Sequence, residues 1–353
     1  MKESLLDVMC CPKCQKDLSI RVDVRERDRV KSGELKCGKC GGAWPIRDFI
    51  PRFVSGSHYA DSFGKQWKTF ARTQLDTSSR NESELRFTSE MGWTTAEMKG
   101  VSVVEFGSGA GRFVDVVSRA GAALVVGVDI TDAVDAAYEN LGNRENVAFI
   151  QADVFQAPLK KNSFDRAYSI GVLHHTPTPE LGFKKMVELV RVDGSVGLSL
   201  YEIILHSRNN RTDLKSATGD LLWALNMWRC AMFRVVTTRM PSGWFLWYCK
   251  NVVWLLHHLN KVPVLGLLRY SLPSTCYRRF PFEWSMVDTF DTYATQIVHQ
   301  YRHKDLFQWF LAEGLDRIIV HNSRPGWVSL TGIKRSEEVR QALRLVEPAP
   351  VQL

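Results

Sequence analysis

The chain has 353 residues, of which 45% are hydrophobic and 24% charged, with a formal net charge of +8. This length accommodates one or two domains with a full core, and the composition excludes a disordered or fibrous chain. The start of the sequence lacks the long apolar stretch of a secretory signal and no run of eighteen uncharged apolar residues occurs, so a cytoplasmic protein without a transmembrane helix is expected.

The positive charge gathers in residues 1–60 and 202–287, while 98–201 is slightly acidic. Charge alone does not separate phosphate, nucleic acid and anionic lipid as partners. Residues 1–55 form a first module. Its knuckles, Cys11-Pro-Lys-Cys14 and Cys37-Gly-Lys-Cys40, are separated by 22 residues that read as a charged hairpin over Leu18–Leu35. Two CxxC pairs supply four thiolates, the donor set of a closed, tetrahedral structural zinc site. Cys10 is a bystander. The stretch Ala43-Trp-Pro-Ile-Arg-Asp-Phe-Ile-Pro51 that follows resembles the ending of the small zinc-ribbon protein that activates tRNA, rRNA and release-factor methyltransferases. The ribbon then serves either as a stabilising appendage or as a substrate-recruiting module.

Residues 56–98 read as a helical bridge, with helices over Tyr59–Phe70 and Glu82–Met91. Tyr59, Phe63, Trp67 and Phe70 have helical spacing and are assigned to packing on the core. Gln66 and Arg86 are its polar candidates near a cofactor.

Residues 99–201 carry the densest pattern. Val103-Val-Glu105-Phe-Gly107-Ser-Gly109-Ala-Gly111 is an apolar run that ends in an acid and a glycine-rich turn, followed by helical spacing over Arg112–Ala120. Ala123–Asp129 and Val147–Asp153 are further strands that end in acids. Ser163 to His175 is a fourth strand running into the expected active-site loop, Ser169-Ile-Gly-Val-Leu-His174, and Val192–Glu202 is a fifth. Helices are expected over Thr131–Leu141, with Thr131 and Asp132 as its capping residues, and over Pro179–Val190. Acids at the C-terminal ends of strands stand where open α/β sheets bind ligands.

The order of these motifs resembles the class I S-adenosylmethionine-dependent methyltransferases, of the small-molecule and quinone type. The resemblance implies an α/β, Rossmann-like seven-stranded, mostly parallel sheet with helices on both faces. It places Gly107, Gly109 and Gly111 against the amino-acid end of S-adenosylmethionine, with Glu105 facing its ammonium. Asp129, with Ile130, accepts the ribose hydroxyls; Asp153 meets the adenine amino group, with Val154 or Phe155 against the ring; Ser169 joins the set. His174 and His175 become first candidates for a general base, followed by His299 and Glu202, then His303 and Tyr293.

Residues 202–287 form an insertion before the sixth strand, rich in tryptophan and basic residues (Trp223, Trp228, Trp244, Trp247 and Trp254 with Arg229, Arg234, Arg239 and Lys250). One reading is a helical acceptor cap that buries its aromatics on the core. The other is an interfacial surface, with peripheral membrane contact through 221–260. Cys230, Cys249 and Cys276 lack metal spacing and read as core residues. Residues 288–335 complete the fold, with a helix over Lys304–Glu313 and strands over Leu315–His321 and Trp327–Ile333. Asp288-Thr-Phe-Asp291-Thr-Tyr293 resembles the C-terminal half of small-molecule methyltransferases fused to such ribbons. Residues 336–353 are a tail.

The fourth-strand loop lacks the (D/N)PP(Y/F) motif of amino-methylating enzymes, and no Pro-Cys or Thr-Cys motif of cytosine-C5 enzymes is present. The scattered cysteines of the insertion argue against arsenic methylation. Three functions follow in order: methyl transfer to a hydroxyl of a sizeable, partly apolar small molecule, glycan or lipid-linked acceptor; methylation of rRNA or tRNA, with the ribbon recruiting the nucleic acid; and a non-catalytic scaffold that binds S-adenosylmethionine.

Overall fold

The computed structural model describes residues 1–54, 60, 64, 67, 70–203, 228–321, 326–336 and 338, with Ser242 described by its backbone alone. The expectations for Tyr59, Phe63, Gln66, Trp223 and residues 339–353 lie outside these.

Four antiparallel strands build the N-terminal module: β1 (Leu18–Glu26), β2 (Arg29–Cys37), β3 (Ala43–Arg47) and β4 (Ile50–Pro51), in the order β1-β2-β3-β4. The main sheet has seven strands in the order β10-β11-β9-β8-β5-β6-β7. These are β5 (Ser102–Phe106), β6 (Leu124–Asp129), β7 (Val147–Gln151), β8 (Phe164–Ile170), β9 (Val190–Tyr201), β10 (Leu315–His321) and β11 (Trp327–Lys334). β11 is antiparallel to both neighbours and the remaining pairings are parallel. β5 sits in the middle, and its alternation divides the core. Val104 and Phe106 face a cluster shared with α4 (Pro179–Leu189) and α8 (His303–Ala312). Val103 faces Phe87, Phe113 and Tyr168, under α1 (Glu82–Met91), α2 (Arg112–Arg119) and α3 (Ala133–Leu141). Each fully buried phenylalanine contributes about 1.5–3 kcal/mol.

The ribbon is part of this core. Met9, Leu35 and Ile46 lie in one cluster with Ile150 and Leu159. Arg52 bridges Gln151 in parallel register, Phe53 N–H donates to Gln151 O (2.7 Å), and Cys10 N–H donates to Pro158 O (3.0 Å). The module therefore covers the Gln151 end of the β7 edge, where backbone groups would otherwise be unpaired.

Element ends differ from expectation by one or two residues where caps decide. Thr131 Oγ1 accepts from Ala133 N–H (3.1 Å), so α3 begins at Ala133, and Asp132 makes no side-chain cap bond. α1 is capped from a distance: Asp76 accepts from the N–H groups of Ser83 (2.8 Å) and Glu84 (3.0 Å).

The insertion builds its own core. Residues 228–237 are helical, and a continuous helical segment runs over 242–259 through α5 (Ser242–Tyr248), a π turn (Cys249–Val253) and α6 (Trp254–Leu259). Phe245, Cys249 and Val253 pack with Val287, Phe290 and Tyr293 of α7 (Phe282–Ala294) and with Phe70 of the bridge. Of the two readings of the insertion, the one that buries its aromatics on the core does not hold for Trp228, Trp244 and Trp247, which are 66%, 73% and 63% exposed. On the 242–259 segment the helix spacing puts Trp244 and Trp247 on the face opposite the phenylalanine and valine that fill the cap core. Cys249 is buried as expected, whereas Cys230 and Cys276 are half-buried.

Candidate functional site

The turn after β5 is held by the next strand. Gly107 and Ser108 N–H groups both donate to Val128 O (2.7 and 3.2 Å), and Gly111 N–H donates to Ser108 O (2.8 Å). Gly107, Gly109 and Gly111 all have positive φ, at 80°, 50° and 88°. A Cβ at Gly107 would stand 2.2 Å from Val172 Cγ1, and one at Gly109 would stand 3.2 Å from the Trp67 indole. Only glycine builds this turn, and Trp67 of the bridge lies over it. Asn140 of α3 ties the two together, donating to Ala71 O (2.8 Å) and Ala110 O (3.0 Å). Ser108 Oγ is buried without a partner among the described residues.

The acids stand at the strand ends beside this turn. Asp129 Oδ2 accepts from Gly109 N–H (2.8 Å), and Oδ1 accepts from Thr131 N–H (2.9 Å) and Oγ1 (2.7 Å). The carboxylate is thus aimed by the two loops that flank it. Glu105 is buried, and Tyr168 donates its hydroxyl to Glu105 Oε2 (3.1 Å). Burial raises the Glu105 carboxyl to about 8; the Tyr168 hydrogen bond opposes the rise and the Asp129 charge adds to it. Asp153 is half-buried and its Oδ1 accepts from Phe155 N–H (3.0 Å), capping the short turn Val154–Gln156 in which Val154 is buried. Ile130 is half-buried, its carbonyl accepting from Gln151 Nε2 (3.3 Å). Ser169 is turned into the sheet, donating to Phe106 O (2.9 Å).

Beyond the end of β8 lies a wall of imidazole and aromatic rings. His174 is fully buried, its ring 3.9 Å from Tyr201 and 4.1 Å from His175 between centroids. Neither His174 nitrogen has a partner among the described residues. Burial, then the neighbouring His175, Arg86 and His299, hold His174 well below the usual imidazole range. His175 Nδ1 is 2.9 Å from Ile297 O, and burial lowers its ring to about 4. His299 N–H donates to His174 O (2.9 Å), which brings a third imidazole to the wall. Tyr201 donates its hydroxyl to Asp291 Oδ2 (3.1 Å). Arg86 lies 4.4 Å over the Trp327 ring and donates to the buried Glu90 (2.8 Å). Glu202 is one residue past β9 and pairs with His303 (3.3 Å). Tyr293 stands apart, inside the cap core, where its hydroxyl accepts from Arg229 (3.1 Å) and contacts Cys230 Sγ (3.1 Å).

Tyr168, Asn140, Tyr201 and Trp327 had no part in the sequence reading of the site. Tyr168 could have been found by pairing β8 with β5, where it stands opposite Glu105 in register. Asn140 and Trp327 reach the site only through tertiary packing and leave no local signal.

In the ribbon, the Sγ atoms of Cys11, Cys14, Cys37 and Cys40 lie within 4.8 Å of one another, with Cys11–Cys40 and Cys14–Cys37 each at 3.5 Å. Zn–S bonds of about 2.3 Å in a tetrahedron require sulfur separations of about 3.8 Å, so the four thiols fit zinc. The backbone N–H groups of Cys40 and Lys39 lower the Cys37 thiol to about 6.

Two family models match the chain. Residues 104–198 match "Methyltransferase domain" and residues 2–48 match "Trm112p-like protein". Among solved structures, an S-adenosylmethionine-dependent methyltransferase from Mesorhizobium loti is 26% identical; the match covers 31% of this chain and 49% of that one, with a TM-score of 0.29. The complex of the Haloferax volcanii Trm112 methyltransferase activator with a methyltransferase is 11% identical over 78% of this chain and 98% of that one, at a TM-score of 0.44. The Synechocystis magnesium protoporphyrin IX methyltransferase with bound S-adenosylhomocysteine is 16% identical over 78% and 96%, at 0.41.

Proposed function

We propose that the chain uses S-adenosylmethionine to methylate a hydroxyl of a sizeable, partly apolar acceptor seated at the His174–Tyr201 wall; the match of residues 104–198 to a methyltransferase domain, beside a Trm112p-like region with four clustered cysteines, supports this. The bound donor supplies a methyl group already activated on a sulfonium, so the chain's own task is alignment and removal of one proton. The glycine turn offers close backbone approach to the donor's amino-acid end. Glu105, ionised, faces its ammonium. Asp129 receives the ribose hydroxyls, with Ile130 beside it, and Asp153 and Val154 border the adenine.

The observation that carries the acceptor reading is His174. A buried polar atom without a partner costs about 1–3 kcal/mol, a cost removed when a ligand hydroxyl supplies the missing hydrogen bond. Burial keeps the ring neutral and therefore able to accept. As the acceptor oxygen bonds to the methyl carbon and the sulfur–methyl bond breaks, the hydroxyl proton passes to His174. The rings of Tyr201 and Trp327 suit an acceptor with apolar area around that hydroxyl.

The test has two steps. Titration with S-adenosylhomocysteine compares the wild type with Asp129→Ala; binding should be lost in the variant. Methyl-labelled donor is then offered with total lipid extract and total RNA in parallel. Label in the organic phase, reduced roughly 10²–10⁴-fold by His174→Ala with cofactor affinity unchanged, is the expected result. Label in the RNA alone would replace this reading with nucleic-acid methylation.

A further inference from the structure

The insertion carries an exposed surface that neither the cofactor site nor the His174 wall uses. On the 242–259 helical segment, Trp244, Trp247, Asn251, Trp254 and His258 are all exposed, and their spacing of three and four places them on one face. Phe245, Cys249, Val253 and Leu256 are buried on the other. The adjoining turn Leu265–Tyr270 packs on α6 and leaves Val264 and Leu267 76% and 64% exposed. The 228–237 helix is tied to the segment after this turn, Arg229 donating to Leu272 O (2.8 Å), and leaves Trp228, Met232, Val235 and Val236 exposed. Monomeric proteins seldom expose so much contiguous apolar area without a use for it.

The charge of the segment itself has one sign, and the first acid after it is Glu283, exposed in the first turn of α7. From residue 228 to 282 the chain has Arg229, Arg234, Arg239, Lys250, Lys261, Arg269, Arg278 and Arg279, and no aspartate or glutamate. Lys250, Lys261, Arg278 and Arg279 are exposed and form no ion pair among the described residues. No helix among the described residues is long and apolar enough to cross a membrane.

We propose that this surface docks on an anionic lipid bilayer, with Trp244, Trp247 and Trp254 at the headgroup level, the leucines and valines of 262–272 in the acyl boundary, and the cations on lipid phosphates. Charge complementarity selects this occupant. A second copy of the chain would bring the same uncompensated cations face to face. Single-stranded RNA would satisfy the cations and stack on the tryptophans, but it offers nothing to the exposed Val264, Leu267 and Leu268. The proposal goes beyond the acceptor reading and does not depend on it, although a membrane-docked cap would bring a lipid-linked hydroxyl to the site.

The test is flotation of the full-length, zinc-loaded protein with vesicles of phosphatidylcholine alone or with 30% phosphatidylglycerol, without donor or acceptor. Two variants accompany it: Trp244→Ser with Trp247→Ser and Trp254→Ser, and Lys250→Glu with Arg278→Glu and Arg279→Glu. All of these side chains are exposed, and titration with S-adenosylhomocysteine confirms that each variant is folded. The expected result is binding to the anionic vesicles at least tenfold tighter than to neutral ones, a blue shift of tryptophan emission, and at least a tenfold loss in either variant. Absence of binding to both vesicles would overturn the proposal. So would vesicle binding that the tryptophan variant retains, a dimer that the same variant dissolves, or binding to oligouridylate in place of vesicles.

Discussion

Glu105 offers the sharpest quantitative test of the cofactor site. Its carboxyl is buried beneath the glycine turn, and burial raises it to about 8. If the donor's ammonium pairs with the ionised form, binding must first remove a proton. With a pKa of about 8, about 1% of the sites are ionised at pH 6 and about half at pH 8. Affinity for S-adenosylhomocysteine should therefore rise roughly tenfold per pH unit below 7.5, roughly fifty-fold from pH 6 to 8, and level off above. Titration calorimetry in buffers of different ionisation enthalpy would also register about one proton released per site at pH 7. Glu105→Gln should bind more weakly, with a flat profile. The same group sets a stability trend of known sign. Between its unfolded value of 4.5 and its folded value of about 8, the folded chain holds the extra proton, so ligand-free stability falls as pH rises through that window. In Glu105→Gln that fall should be reduced. A wild-type affinity that does not vary between pH 6 and 8 would refute the pairing of Glu105 with the ammonium.

Gly107→Ala combines a φ of 80° with a Cβ 2.2 Å from Val172; a cost of roughly 1–3 kcal/mol and a loss of cofactor affinity of at least about tenfold should follow by thermal shift and calorimetry. Cys37→Ser should release zinc, measured by a colorimetric chelator, and lower the unfolding temperature by more than about 5 °C in a single transition, because ribbon and sheet share one cluster. Arg52→Ala removes a partner of both Gln151 and Asp135; it should cost about 1–3 kcal/mol and weaken S-adenosylhomocysteine binding several-fold.

The residues that could be read from the sequence are those whose role is local. A glycine in a left-handed turn, an acid at the end of an apolar run and a CxxC knuckle each declare themselves within a few positions. The sheet could be read for the same reason: β6, β7 and β8 are short β-branched or aromatic runs between turn signals. What could not be read depends on which face of an element meets which neighbour. Ser169 sits at the expected strand end, yet its hydroxyl bonds Phe106 O inside the sheet. Tyr293 has the spacing of a site residue and is claimed by the cap core. The tryptophans of the insertion illustrate the same limit. Their abundance left burial and an exposed surface both open; Phe245, Val253 and Phe290 fill the cap core and Trp244, Trp247 and Trp254 stay outside it.

The position of the ribbon gives it a physical connection to the proposed cofactor site. Arg52, just past β4, donates to Gln151 Oε1 (2.8 Å) and to Asp135 Oδ1 of α3 (2.7 Å). Gln151 Nε2 in turn donates to Ile130 O (3.3 Å) and Asp132 Oδ1 (3.1 Å). These are the residues of the loop whose Thr131 N–H and Oγ1 hold Asp129. Two sets of hydrogen bonds, joined through the backbone of residues 130–132, thus connect the end of the zinc module to the carboxylate beside the glycine turn. The closed four-cysteine site leaves zinc no open coordination position for chemistry. Its contribution is to keep β3 and β4 folded against β7, so that Arg52 stays where Gln151 needs it. On this argument removal of a metal remote from any reacting atom should weaken S-adenosylhomocysteine binding, as Arg52→Ala should, which calorimetry before and after chelation would show.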